Sequence, residues 1–291
     1  MKCNREGCNY KIHSNINNNG GMYCCRSCKK NGIHGRLCEK KYIKISFIHI
    51  GKTGGTTIAQ LLENKLKNFK KYHTNNIKYN NREKYIIWIR NPISRFVSAF
   101  NFAYYCINID PNTAKITTLE NCLSPEIMKR LYKNPNRKYV FSEEYDTLFK
   151  FFKNASNLAE SLTSEDINIK KNAHDLMTIK TQHLYKSIGW YLNNGNFIKE
   201  KNHKILFVGK QENMKEDIIN LSKKLNIELD ENLKLRENIY VDKTMKYLSP
   251  LAIKNIIEFY KDSDYAALEQ LYKHNWITKE ILDSYYIYNN E

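Results

Sequence analysis

The sequence predicts an α/β protein, a parallel sheet flanked by helices, with a small cysteine-rich module ahead of it. Three observations carry this. Strand-sized apolar runs are twice followed by a turn and a helix-period segment, six of eight cysteines (Cys3, Cys8, Cys24, Cys25, Cys28, Cys38) precede residue 39, and large apolar side chains are scarce before residue 42. The chain therefore divides into a Cys/His-rich module, residues 1–41, and a main domain, residues 42–291, long enough to bury a real core.

The head cannot fold on hydrophobic burial alone, since it carries nine basic and two acidic residues, a polar insert (Asn15 to Gly21) and few apolar side chains. Its run CCRSCKKNGIHGRLC spaces Cys25, Cys28, His34 and Cys38 as soft ligands suited to tetrahedral zinc, and metal binding would supply the missing folding free energy. Cys3, Cys8, His13 and Cys24 bring the possible ligands to eight, enough for one site with spare cysteines or for two. The first residues, MKCNREGCNYK, have no apolar run or cleavage site of a signal peptide. The expected compartment is the reducing cytoplasm, where metal binding outranks disulfides. The pattern resembles a zinc knuckle approximately, which would allow a nucleic-acid contact. No regular alternation of basic and aromatic residues favours that, so a protein-docking role is the preferred reading.

The main domain begins with an apolar strand, IKISFIHI (Ile43 to Ile50), a Gly and Thr loop, and then Ile58, Leu61, Leu62, Leu66 and Phe69 at helical spacing. A second unit repeats the order: YIIWI (Tyr85 to Ile89) is a buried strand, and Pro92 opens a helix carrying Phe96, Val97 and Phe100. Two such units imply parallel pairing. Residues 106–200 read as helices and loops, with helices expected around Glu143 to Leu162 and Ile179 to Leu192. KILFVG (Lys204 to Gly209) is a further strand, followed by an amphipathic helix through Ile218, Ile219, Leu221 and Leu225, and the tail from Ser249 is helical. No apolar stretch approaches the roughly 20 residues of a membrane span.

Gly51, Lys52, Thr53, Gly54, Gly55, Thr56 and Thr57 lie between a strand and the first turn of a helix, which is a phosphate cradle: glycine lets backbone N–H groups approach an anion, and lysine and threonine add charge and donors. The nucleoside-triphosphate loop G-x-x-x-x-G-K-[ST] fits at Gly51, Lys52 and Thr53 but would need a first glycine where Ser46 stands. A nucleotide kinase would also need a strand ending in Asp to hold magnesium, and the second strand ends in Arg90. Arg90 offers a fork for a second anionic group, and Arg95 and Ser98 can share a helix face with it.

In these segments the chain resembles the P-loop-like sulfotransferases that use 3′-phosphoadenosine 5′-phosphosulfate (PAPS), especially the carbohydrate sulfotransferase branch. FIHIGKTGGTT is similar to its 5′-phosphosulfate loop, and IIWIRNPISRFVSAF to its 3′-phosphate motif, with the family's spacing of eight from Arg90 to Ser98. FVGKQENMKEDI and EFYKDSDYAAL are weaker matches, and Gly51 stands where the family commonly has proline. The resemblance spans roughly residues 43–275. It implies that Lys52, Thr53, Gly54, Gly55, Thr56 and Thr57 hold the 5′-phosphosulfate, that Arg90 and Ser98 hold the 3′-phosphate, and that Lys52 is catalytic. The expected base is His73, between the two motifs, where family members often place a catalytic His or Glu. His49 is expected to be a packed or orienting histidine, His183 a helix-face histidine, and Glu63 a solvated charge.

The net charge of +17 implies an anionic partner or substrate. With 38 Lys and only 9 Arg it argues against site-specific nucleic-acid recognition. The expected acceptor is a hydroxyl on a carbohydrate, with no membrane partner. The competing readings are a P-loop nucleotide kinase or NTPase, and a zinc-headed nucleic-acid-binding protein with an inactive sulfotransferase-like domain.

Overall fold

The computed structural model describes residues 3, 12, 23–29, 44–66, 69–77, 83–108, 141–232 and 243–290. In the main domain, β1 (Lys44–Ile48) leads through a short loop into α1 (Gly55–Lys65), then β2 (Phe69–Tyr72), β3 (Glu83–Ile89) and α2 (Pro92–Asn108). Next come α3 (Glu143–Phe149), α4 (Ala155–Ser161), α5 (Ile167–Thr178), α6 (Ile188–Leu192) and α7 (Asn196–Lys201). After them follow β4 (Ile205–Lys210), α8 (Met214–Leu225), α9 (Pro250–Tyr260), a π-helical turn (Lys261–Tyr265), α10 (Ala266–Lys273) and α11 (Lys279–Ser284).

The four strands form one sheet in the order β2-β1-β3-β4, every pair parallel, with Ile48 opposite both Tyr72 and Ile87. β3 is a central strand, its apolar residues Tyr85 to Ile89 at most 1% exposed, as a strand covered on both faces must be. Phe47, Ile86 and Trp88 pack on one face with Ile58, Leu61 and Leu62 of α1 and Ile218, Leu221 and Leu225 of α8. Ile48, Tyr85, Ile87 and Ile89 point to the other face, where α2 supplies Ile93, Phe96 and Phe100 to a larger core shared with the remaining helices. The chain turns one way after β1, through α1 to β2, and the other way after β3. The crevice between the carboxyl ends of β1 and β3 is therefore the topological switch point, the usual place for a ligand in such sheets.

The opposite edge is held by a buried carboxylate. Glu83, 1% exposed, accepts hydrogen bonds from Ser46 Oγ (2.7 Å), the Tyr72 hydroxyl (3.0 Å) and the Tyr85 hydroxyl (3.0 Å), with Lys44 Nζ at 3.6 Å. One side chain thus ties β1, β2 and β3 together, and a buried charge so surrounded is satisfied.

Three expected elements differ. Phe69 continues the helical spacing of α1 but sits on β2, because the backbone at Leu66 is already extended and edge pairing with β1 claims the next residues. The segment from Glu143 to Leu162 is two helices, since the Asn154 side chain accepts from the Asn157 N–H and starts a new one. Residues 179–187 are turns, with only Ile188–Leu192 helical, and the longer helix of this region is α5, capped by Asp166. Arg95 draws away the carbonyls of His183 and Lys186 that a helix there would use. Among the described residues no helix is long and apolar enough to cross a membrane.

Candidate functional site

All four strands deliver their carboxyl ends to one edge, and the residues next in sequence are His49, His73, Arg90 and Gln211. None is a carboxylate. Ser46, where a triphosphate loop would have its first glycine, lies within β1, fully buried, with its hydroxyl on Glu83. Six residues, His49 to Gly54, separate strand from helix, and Lys52 lies within this loop, three residues before the helix starts at Gly55.

The loop is strained and crowded. Lys52 has φ 70° and Gly54 φ 76°, and Gly54 is the residue that caps α1. A side chain at Gly54 would be strained by its left-handed backbone and would meet the Gln211 amide and the Met214 methyl. A methyl on Gly51 would lie 2.5 Å from His183 Nδ1, and the His49 ring packs against Gly55. Thr53 is fully buried and its hydroxyl donates to the Ile50 carbonyl at 3.0 Å, so that donor is committed to the turn. Lys52 Nζ lies 4.1 Å from the centre of the Phe102 ring. Phe102 is two turns along α2 from Ser94 and one from Ser98, and these three half-buried residues form a stripe on one helix face. Ser98 is thus placed on the face of α2 that meets the loop.

Arg95, which shares that helix with Ser98, acts on the backbone. It is fully buried, its Nε donates to the Gly51 carbonyl at 3.1 Å, and one Nη donates to the carbonyls of His183 and Lys186. It therefore fastens the glycine loop to the 183–186 turn. Arg90, at the end of β3, has one long hydrogen bond, Nη1 to the Lys52 carbonyl at 3.4 Å. Burial opposes its charge, while Glu212, Tyr288 and Tyr285 favour it. Glu212 is itself held, accepting from the Asn91 N–H at 2.8 Å and the Tyr285 hydroxyl at 3.0 Å.

The histidines converge beside the loop. His73 follows β2, and its Nδ1 lies 2.8 Å from the His49 carbonyl. A carbonyl only accepts, so Nδ1 carries the proton and Nε2 keeps its lone pair. The Tyr191 hydroxyl is 3.1 Å from Nε2 and 3.2 Å from Nδ1, so it lies against the ring. Burial pushes the Tyr191 pKa up, so its hydroxyl keeps its proton. The His73 pKa is held below its ordinary value by desolvation of the packed side of the ring and by the charges of Lys186 and Lys71, against the pull of the His49 carbonyl. His183 sits in the turn, not on a helix face, its ring centre 6.3 Å from that of His73 and 5.7 Å from that of Phe102. Burial, with the charges of Lys52 and Arg95 next, drives its pKa well down, so it is neutral. Glu63 makes an ion pair with Lys71 at 3.5 Å, both side chains more than two-fifths exposed, which is worth little.

The sheet thus brings together Lys52, Thr53, Gly54, Gly55, Thr56, Thr57 and Arg90 at the crevice, with His73 at the adjacent strand end and Ser98 on α2. Sequence reading missed Tyr191, Phe102, Gln211 and Glu212. Tyr191 is 118 residues from His73 and carries no spacing signal, whereas Gln211 and Glu212 directly follow β4 and strand-end position alone could have marked them.

In the head, the described residues bring Cys3, Cys24 and Cys28 together. Cys25 is buried beside them but is not one of the three, and His34 and Cys38, also expected as ligands, lie outside the described residues, as do Cys8 and His13. No family model, curated protein or solved structure matches this chain.

Proposed function

We propose that the chain is a PAPS-dependent sulfotransferase with a P-loop-like domain and a zinc-binding head, acting on an acceptor hydroxyl of carbohydrate type. The observation that carries this is the pairing at the switch point: a lysine-bearing glycine loop after β1 and an arginine after β3, at a sheet edge where, among the described residues, none of the four strands ends in a carboxylate. Two anionic groups held apart, with no divalent cation between them, suit a nucleotide bearing a 3′-phosphate and a 5′-phosphosulfate. The same edge disfavours the magnesium-dependent kinase reading, which needs an acidic strand end.

His73 Nε2 takes the acceptor's proton as the acceptor oxygen bonds to sulfur. The bond from sulfur to the bridging phosphate oxygen breaks, and Lys52 offsets the charge growing on that oxygen. The products are a sulfate ester and 3′-phosphoadenosine 5′-phosphate. His49, through its carbonyl, and Tyr191, through its hydroxyl, orient the base. Arg90 and Ser98 hold the 3′-phosphate, and Arg95 holds the loop in register.

The test is transfer of labelled sulfate from PAPS to a panel of glycans in the presence of a metal chelator. Labelled ester is expected from the wild type and near-background label from Lys52→Ala. Near-normal turnover by Lys52→Ala would overturn the role given to Lys52, and magnesium-dependent ATP hydrolysis without sulfate transfer would overturn the reaction class.

A further inference from the structure

The head has its own chemistry, which rests on the zinc-binding reading proposed above and is independent of sulfate transfer. Its described core consists of Cys3, Cys24, Cys25 and Cys28, each at most 4% exposed, with Tyr23 as the partly buried hydrophobic packed against them. The sequence of the 41-residue head offers few other large apolar side chains, so hydrophobic burial offsets little of its ordering. Something else must hold it.

The sulfur positions say what. The ligand atoms of Cys3, Cys24 and Cys28 all lie within 4.8 Å of one another, and Cys3 Sγ is 3.6 Å from Cys28 Sγ. That is far beyond the roughly 2.05 Å of a disulfide. Two thiolates on one tetrahedral zinc, each at about 2.3 Å, stand about 3.8 Å apart. The spacing is that of co-ligands. Cys24 and Cys28 are four residues apart around the helical turn Arg26–Lys29, and the Lys29 N–H bonds to the Cys25 carbonyl at 3.2 Å, so the turn sets the geometry of two of the sulfurs. Three thiolates and Zn²⁺ leave one net negative charge, placed in a segment that carries +7 from its nine basic and two acidic residues.

We propose that Cys3, Cys24 and Cys28 supply three thiolates of a structural zinc site that folds the head, and that Cys25, despite its Cys25-x2-Cys28 spacing, is not a ligand of this site. The site joins the first residues of the chain to the Cys24–Cys28 turn, 25 positions away. Thiols on these three residues lose their protons to the solvent when the metal enters.

The test is zinc content of the full chain purified with zinc, for the wild type and Cys3→Ser, Cys24→Ser, Cys28→Ser and Cys25→Ser. Wild type and Cys25→Ser are expected to hold about one zinc per chain, and each of the other three to hold far less, since each lacks one of the metal's own ligands. Loss in Cys25→Ser equal to that in Cys24→Ser would overturn the ligand set. Should those three variants fail to fold, cobalt reconstitution of the wild type and Cys25→Ser decides: equal thiolate-to-cobalt absorption with tetrahedral bands in both supports the site, and its absence from either overturns it. Neither readout depends on sulfate transfer, so each reading can fail alone.

Discussion

The two strand ends flanking the crevice are built in opposite ways. After β1 the site is backbone: a glycine loop with two left-handed residues, Lys52 and Gly54, crowded by His49, His183 and Gln211 and pinned through the Gly51 carbonyl by Arg95. After β3 it is side chain: Arg90 projects at the end of the strand, while Glu212 and Tyr285 hold the neighbouring Asn91 in place. The first arrangement is crowded and tolerates no added atoms at Gly51, Gly54 or Gly55. The second holds its reaching group by a single long hydrogen bond among the described residues. The loop should therefore govern turnover and stability, and the β3 corner should govern affinity.

Lys52→Ala separates the two most sharply. It should lower turnover by about a thousandfold, the scale of losing one group that stabilises transition-state charge, with little change in affinity for 3′-phosphoadenosine 5′-phosphate. Single-turnover kinetics beside a binding titration check this. His73→Ala should cost about a hundredfold, and the wild-type pH profile should report the same residue. A base must be unprotonated, and the His73 pKa lies below its ordinary 6.5. Turnover should then fall on the acid side, with its midpoint below pH 6.5. An acid limb centred above 6.5 would exclude His73.

Arg90→Ala should weaken nucleotide binding by about tenfold to a hundredfold, as for loss of a charge-assisted bidentate contact, while saturated turnover changes less. Equal losses in turnover and affinity would erase the distinction between the corners. Gly54→Ala is the smallest effect, destabilising the fold by about 1–2 kcal/mol through its φ of 76°. Thermal unfolding reads it as a shift of a few degrees, and Gln211→Ala in the same chain should recover the part due to crowding.

How much of this could be read from residues follows the same division. The loop and Arg90 are contiguous with strong strand signals, and parallel central strands such as β3 are unbroken apolar runs, so both corners were legible. β2 was not, because FKKY is a short edge strand whose exposed Lys70 and Lys71 look like any polar segment. Its assignment depends on pairing with β1, a non-local fact. The 179–187 turn reads as helix by periodicity and is unwound by one buried guanidinium from α2. Tyr191 reaches His73 only because that turn and β2 meet. In the head, three cysteines share one point although the closest sequence spacing suggests a different set, since Cys3 arrives from the chain start.

The measurement that bears most directly on the central claim is calorimetric titration with 3′-phosphoadenosine 5′-phosphate in a chelator, on the wild type and on Arg90→Ala. The account predicts metal-independent binding by the wild type that weakens at least tenfold in Arg90→Ala. No binding by the wild type, or binding only of ATP with magnesium, would contradict it.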